Sequence, residues 1–238
     1  MKKMMMITAL SALAAGAMAQ SEQIDSGNIL GYAKLNLGLQ DNMMFGAVFK
    51  DIVAAQKELD IQSIDTNIDD GTGSLLWWSG VDWVGNQNFD GVWWELDDET
   101  YVMSTKVFAV GEGFRFECGT PNAYVTVRGE LYTSTTNLTE IPLTLREGID
   151  NEMFVNPMPV SVELQDIGTN IEDGTGSLLW WSGVDWVENR NFDGDWWELD
   201  DETYVMSTKV FEVGEGFRFE CGTPGAYLTF KNPLVEIP

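Results

Sequence analysis

Phe114-Arg115-Phe116-Glu117-Cys118-Gly119-Thr120-Pro121-Asn122-Ala123-Tyr124-Val125-Thr126-Val127-Arg128 reads as two half-buried strands and the turn that joins them. In its first five residues apolar and charged side chains alternate. A strand has a side-chain period of two, so this places Phe114, Phe116 and Cys118 on one face. The same rule sets Ala123, Val125 and Val127 inward. Pro121-Asn122 fits the two central positions of a type II turn, where proline supplies the first φ and the second residue needs a positive one. Gly111-Glu112-Gly113, Asp70-Gly71 and Asp97-Asp98-Glu99-Thr100 have the composition of further hairpin connections. Upstream, residues 50–59 (KDIVAAQKEL) are the one stretch suited to a short helix, with Asp51 as its cap.

The pattern occurs twice. Residues 61–128 align without a gap onto residues 164–231, with 56 of 68 positions identical. A weaker likeness extends upstream, where Asp41-Asn42-Met43-Met44-Phe45 matches Asp150-Asn151-Glu152-Met153-Phe154. The differences sort by face. Val125 and Val127 become Leu228 and Phe230, which changes size and keeps an inner face apolar. Val92, Gly85 and Ala109 become Asp195, Glu188 and Glu212. A buried unpaired carboxylate costs several kcal/mol, so those three positions are expected at the surface. The fold class expected is mostly β: two tandem homologous antiparallel domains, each a sandwich or small barrel, with at most one short helix. Two units of about 100 residues suit a tandem pair better than a solenoid, which needs more and shorter repeats. The expected boundaries are a signal peptide at 1–19, a first domain at 20–131 and a second at 132–238.

Residues 1–19, MKKMMMITALSALAAGAMA, carry a basic start, an apolar centre and an Ala-x-Ala end, the three parts of a bacterial export signal. The chain is therefore expected to be secreted or displayed at the cell surface. No later segment is long and apolar enough to span a bilayer. The 238 residues hold 13 Lys+Arg, 38 Asp+Glu and no His, a formal charge of −25. Loss of the signal removes two lysines and leaves −27. Such a surface repels phosphate backbones, which argues against nucleic acid. Without histidine there is no Ser-His-Asp or Cys-His relay and no imidazole metal site.

Several short motifs carry a resemblance. Asn28-Ile29-Leu30-Gly31-Tyr32, the aromatic hairpins and Gly111-Glu112-Gly113-Phe114 with its twin Gly214-Glu215-Gly216-Phe217 resemble a group of secreted bacterial β-domain proteins. Those proteins share an N-(I/V)-(V/L)-G-Y opening and a G-E-G-F/Y closing strand. Asn156-Pro157-Met158-Pro159 is similar to a variant element of the same group. The opening is missing from the second copy, where Asn137-Leu138-Thr139-Glu140-Ile141 stands. The resemblance implies export and a β fold, and carries over no catalytic residue.

All ten tryptophans lie in the repeats: Trp77, Trp78, Trp83, Trp93, Trp94 and Trp180, Trp181, Trp186, Trp196, Trp197. Neighbours on a strand point to opposite faces, so each Trp-Trp pair sends one ring away from its own core. That outward ring packs against a second layer or the other repeat, or forms a stacking platform for sugars. An apolar platform with a few convergent polar groups is what a small-ligand site requires. Asn86-Gln87-Asn88-Phe89-Asp90-Gly91 and Asn189-Arg190-Asn191-Phe192-Asp193-Gly194 space oxygen side chains as a calcium loop does. Asp97 or Asp200 would close each loop, although neither supplies the usual bidentate Glu. The calcium candidates are thus Asn86, Asn88, Asp90, Asp97, Asn189, Asn191, Asp193 and Asp200, and the same residues also make good metal-free turns. No other cofactor is implied. The acidic runs Asp97-Asp98-Glu99 and Asp200-Asp201-Glu202 sit in expected hairpin tips, not in the facing pair a glycosidase needs. Cys118 and Cys221 occupy equivalent inner-face positions. Export permits a bridge between them, but two separate buried thiols are the simpler account.

These readings converge on a non-catalytic secreted or cell-surface structural or interaction protein. The alternative is a glycan-binding module that uses exposed tryptophan stacking, with or without calcium. Polysaccharide, other surface proteins and the chain itself are the partners expected.

Overall fold

The computed structural model describes residues 30–37, 42–46, 49–50, 58–97, 99–131, 140–200 and 203–231. The export-signal segment 1–19, Asn28-Ile29 of the opening motif, Asp98, Asp201 and Glu202 lie outside them. The chain is mostly β, built from several antiparallel sheets. Of the short helix expected at 50–59, Lys50 instead ends the strand Phe49–Lys50, and Glu58 and Leu59 open the strand Glu58–Asp60. Residues 51–57 lie outside the described residues.

Each repeat contains the same six-stranded sheet. In the first its order is Asn42–Gly46, Gly113–Cys118, Gly73–Trp78, Trp83–Phe89, Val92–Asp97 and Thr100–Met103. In the second it is Asn151–Val155, Gly216–Cys221, Gly176–Trp181, Trp186–Phe192, Asp195–Asp200 and Thr203–Met206. A smaller sheet centred on Tyr124–Leu131, or on Tyr227–Lys231 in the second repeat, packs over one face. The turn at Pro121-Asn122 forms as expected, with Asn122 at φ 60° and the Ala123 N–H donating to the Thr120 carbonyl at 3.1 Å.

Two cores result. The first holds Leu75, Trp93, Phe114 and Phe116 of the large sheet against Val125 and Val127 of the small one and Ala123 just before it. The second holds Leu178, Trp196, Phe217 and Phe219 against Ala226, Leu228 and Phe230. Period-two alternation therefore placed the inner face correctly in both copies. A one-turn 3-10 helix, Ile61–Ser63, fastens the sheet edge to each core's centre, with Leu164–Asp166 as its twin. The Gln62 amide donates to the carbonyls of Trp93 and Ser104, both at 2.8 Å, and accepts from the Trp93 N–H at 3.0 Å. Gln165 does the same for Trp196 and Ser207.

The repeats meet through equivalent edge strands, Asn42–Gly46 and Asn151–Val155. Met44 lies against Gly216, and its counterpart Met153 lies against Gly113, as a local two-fold relation requires. The Val155 N–H donates to the Gly111 carbonyl at 2.9 Å, and Val155 is fully buried in the first repeat's core. Where the first copy has Met43, the second has Glu152. Its buried carboxylate pairs with the Arg146 Nε at 2.5 Å and accepts from the Arg146 backbone N–H at 3.2 Å.

Burial pushes the Glu152 carboxyl above its ordinary 4.5. Arg146 pulls it down, and the like charge of Glu112 in the first repeat pushes it up again. A carboxyl raised on folding binds more protons in the native state than in the unfolded one. Its contribution is therefore greatest below about 4.5 and is lost as pH rises through the folded value. Urea unfolding of wild type and Glu152→Met across about pH 4 to 8 should show wild type losing ground to the variant as pH rises. A constant difference across that range would refute the assignment.

Candidate functional site

The sheet register splits every Trp-Trp pair as strand alternation requires. On the core side, Phe45, Phe114, Trp77 and Val84 form one cross-strand row. Trp93 is fully buried and donates its indole N–H to the Ile64 carbonyl at 2.8 Å, as Trp196 does to Ile167. Trp77 and Trp180 lie half-buried against the cores, each with a lysine ammonium over its ring, Lys106 at 4.6 Å and Lys209 at 4.5 Å. These four rings serve packing.

The other six rings lie on the opposite face. Trp78 and Trp83 face each other across adjacent strands, edge to face with centroids 5.6 Å apart, and Trp181 and Trp186 repeat this at 5.6 Å. Trp94 sits between Gln87 and Met103 in a second row, and Leu96 pairs with Tyr101 beyond it. Trp83, Leu96, Tyr101 and Met103 are exposed, as are Trp186, Leu199, Tyr204 and Met206. Trp78, Trp94, Trp181 and Trp197 are half-buried. Each repeat thus presents a contiguous aromatic and aliphatic face, and in the first repeat its Trp78 end adjoins the second, where Arg146 donates to the Trp78 carbonyl at 3.1 Å and Ile149 lies against Gly80.

That face runs into a shallow polar hollow. In the first repeat the row Asn42, Glu117, Ser74, Gln87 leads directly to Trp94. With Thr72 and Gly73 these residues line a hollow of about 510 Å³. In the second, Asn151, Glu220, Ser177 and Arg190 line one of about 360 Å³. The two repeats differ beside the hollow, one row toward the Trp pair. Gly85 leaves open space, with nothing within 4 Å of where a Cβ would sit. At the same place Glu188 accepts from the Ser177 hydroxyl and from Arg190 Nε, each at 2.7 Å. The Ser177 bond first, then Arg190, holds the Glu188 carboxyl below its usual range, and Glu188 in turn raises Arg190. Glu188 is therefore only half-exposed, with both bonds on its Oε1, while Asp195 and Glu212 are exposed as expected.

The calcium loop does not form. Asn86 and Asn88 lie within the strand Trp83–Phe89, with their side chains buried on the core face, and Asn189 and Asn191 match them. The Asn86 amide donates to the Leu75 carbonyl, and the Asn88 carbonyl oxygen accepts from the Gly91 N–H. Asp90 and Asp193 take positive φ in the next turn, while Asp97 and Asp200 end the following strand. Calcium needs six or more oxygens around one point, and these residues are spread over two strands and a turn. Among the described residues no three of His, Cys, Asp and Glu cluster for a metal. Asp97 and Glu99 are exposed in a hairpin. Cys118 and Cys221 are free buried thiols, each facing a backbone carbonyl of its own repeat.

The hollow was not anticipated. Its signal was present in Ser74, Gln87 and Trp94, but only the strand pairing brings those positions into one row. Comparison with protein-family models, curated proteins and solved structures yields no match.

Proposed function

We propose that the chain is a non-catalytic exported interaction protein whose two β modules present aromatic sheet faces to a partner. The observation that carries this is the placement of six of ten tryptophans on the side of each sheet away from its core. A core needs no such rings, and an exposed contiguous apolar patch is the usual mark of a binding surface. The export-signal pattern at residues 1–19 and the acidic surface support a setting outside the cytoplasm. A polar hollow continuous with the platform favours a glycan over a flat protein surface, because a stacked sugar needs hydrogen-bond partners at its rim.

Trp83→Ala combined with Trp186→Ala removes the outermost ring of each pair and leaves both cores intact. Indole emission of the wild type should shift on titration with a partner polysaccharide, and the variant should lose that response at least tenfold in affinity. If the double variant binds every wild-type partner unchanged, the faces are not the binding surface.

A further inference from the structure

We infer that the two faces have diverged: the first repeat's face takes an uncharged polysaccharide chain, and Glu188 with Arg190 closes the second repeat's face to it. This rests on the reading of the faces as binding surfaces and adds the ligand class and the repeat that holds it.

Three differences at equivalent positions support the assignment. Gly85 leaves the middle of the first platform bare, between Leu76 across the strand and the Trp78–Trp83 pair beside it. In the second repeat a glutamate side chain starts from that position and reaches across the row to Ser177 and Arg190. The Ser74 hydroxyl makes no hydrogen bond within the described residues, whereas Ser177 is committed to Glu188. The Gln87 carbonyl oxygen accepts from the Tyr101 hydroxyl at 2.6 Å, which orients the amide, and its two N–H donors have no partner among the described residues. Its counterpart Arg190 spends its Nε on Glu188. The first face therefore has a bare apolar floor and unspent donors beside it. In the second the same groups satisfy one another.

Charge decides the ligand class. The first platform is uncharged across Leu76, Trp78, Trp83, Gly85, Gln87 and Trp94, the flanking Arg115 and Glu117 pair with each other at 2.5 Å, and the whole chain has a formal charge of −25. A polyuronate or phosphate-bearing polymer would be repelled on approach. A neutral hexose chain meets no such barrier. It would gain apolar contact with the rings and hydrogen bonds at Ser74 and Gln87. On the second face it would have to strip water from the Glu188–Arg190 pair with nothing to replace it.

The test exchanges the two centres in the full chain. Gly85→Glu with Gln87→Arg installs a pair the second repeat already accommodates, and Gly85 has ordinary φ and open space, so folding is retained. Glu188→Gly with Arg190→Gln does the reverse. Wild type, both exchanges, Trp83→Ala and Trp186→Ala are run in native gels containing glucomannan, galactomannan or hydroxyethylcellulose, with alginate as the polyanion. The expected result is retardation of wild type by at least one neutral polymer. That retardation should weaken at least tenfold in the first exchange and in Trp83→Ala, and remain unchanged in Trp186→Ala. The reverse exchange should bind more strongly, since two linked sites add avidity. Equal losses in Trp83→Ala and Trp186→Ala would overturn the division between faces while leaving the platform reading in place. Alginate binding as tight as the neutral polymers would overturn the ligand class. Failure of wild type and of the reverse exchange to bind any of the polymers, with Trp83→Ala and Trp186→Ala altering self-association instead, would overturn the polysaccharide assignment altogether.

Discussion

Trp93→Ala is expected to destabilise the first repeat by about 3–5 kcal/mol, the range for removing a fully buried large aromatic. Its ring is fully buried among Leu75, Phe114 and Phe116, so truncation leaves a cavity that β-sheets on both sides cannot collapse to fill. The loss also orphans the Ile64 carbonyl, whose partner is the indole N–H at 2.8 Å. Both backbone groups of Trp93 are held by Gln62, so the strand cannot shift to refill the space. The second core is a separate cluster, so the damage should stay local and unfolding should separate into two transitions. At about 4–8 °C per kcal/mol for a unit of roughly 100 residues, the earlier transition should fall by more than about 12 °C. Trp196→Ala should produce the mirror image, with the second repeat melting first. A single unchanged transition in either variant would mean that the two cores do not behave as separate units.

The fold was legible because strand alternation is local. Phe114, Phe116 and Cys118 are alternate residues of a single strand, and nothing distant is needed to say that they share a face. The same rule split Trp77 from Trp78 correctly. It also held the information that undid the calcium loop. Asn86 and Asn88 are two residues apart, and a strand sends both to the same side, here the buried one. Their polarity suggested a loop, yet Asn86 is buried with its amide on the Leu75 carbonyl. The polar hollow was not legible. It depends on Ser74, Gln87 and Glu117 standing side by side, and register between strands far apart in sequence is fixed by the whole sheet. The exchange of Gly85 for Glu188 could be read as a surface change, but its meaning came only with the neighbours Ser177 and Arg190.

The contact between repeats depends on a similar non-local fit, and Gly46→Ala should expose it. Gly46 and Val155 occupy equivalent positions on the two edge strands that meet. A Cβ at residue 46 would stand 2.5 Å from the Val155 Cγ1, 3.0 Å from the Gly113 Cα and closer still to the Glu112 carbonyl oxygen. The valine methyl can turn away, but the carbonyl belongs to backbone bridged to Phe154, next to the Val155 N–H bond to Gly111. Relief therefore requires Asn42–Gly46 to draw back from Gly113 within its own sheet as well as from Val155 of the second repeat, at a cost of about 2–3 kcal/mol, toward the upper end for overpacking. Two residues of different size at one near-symmetric point explain why the copies differ there: two valines would collide, and two glycines would leave a void. Val155→Ala added to Gly46→Ala should recover the part due to the methyl clash and no more, a coupling that a double-mutant cycle reads directly. Gly85→Ala is the control, since open space around it predicts a change within about 0.5 kcal/mol. If Gly46→Ala melts with wild type while Gly85→Ala does not, the close approach at Gly46 constrains neither the first repeat's edge nor its contact with Val155.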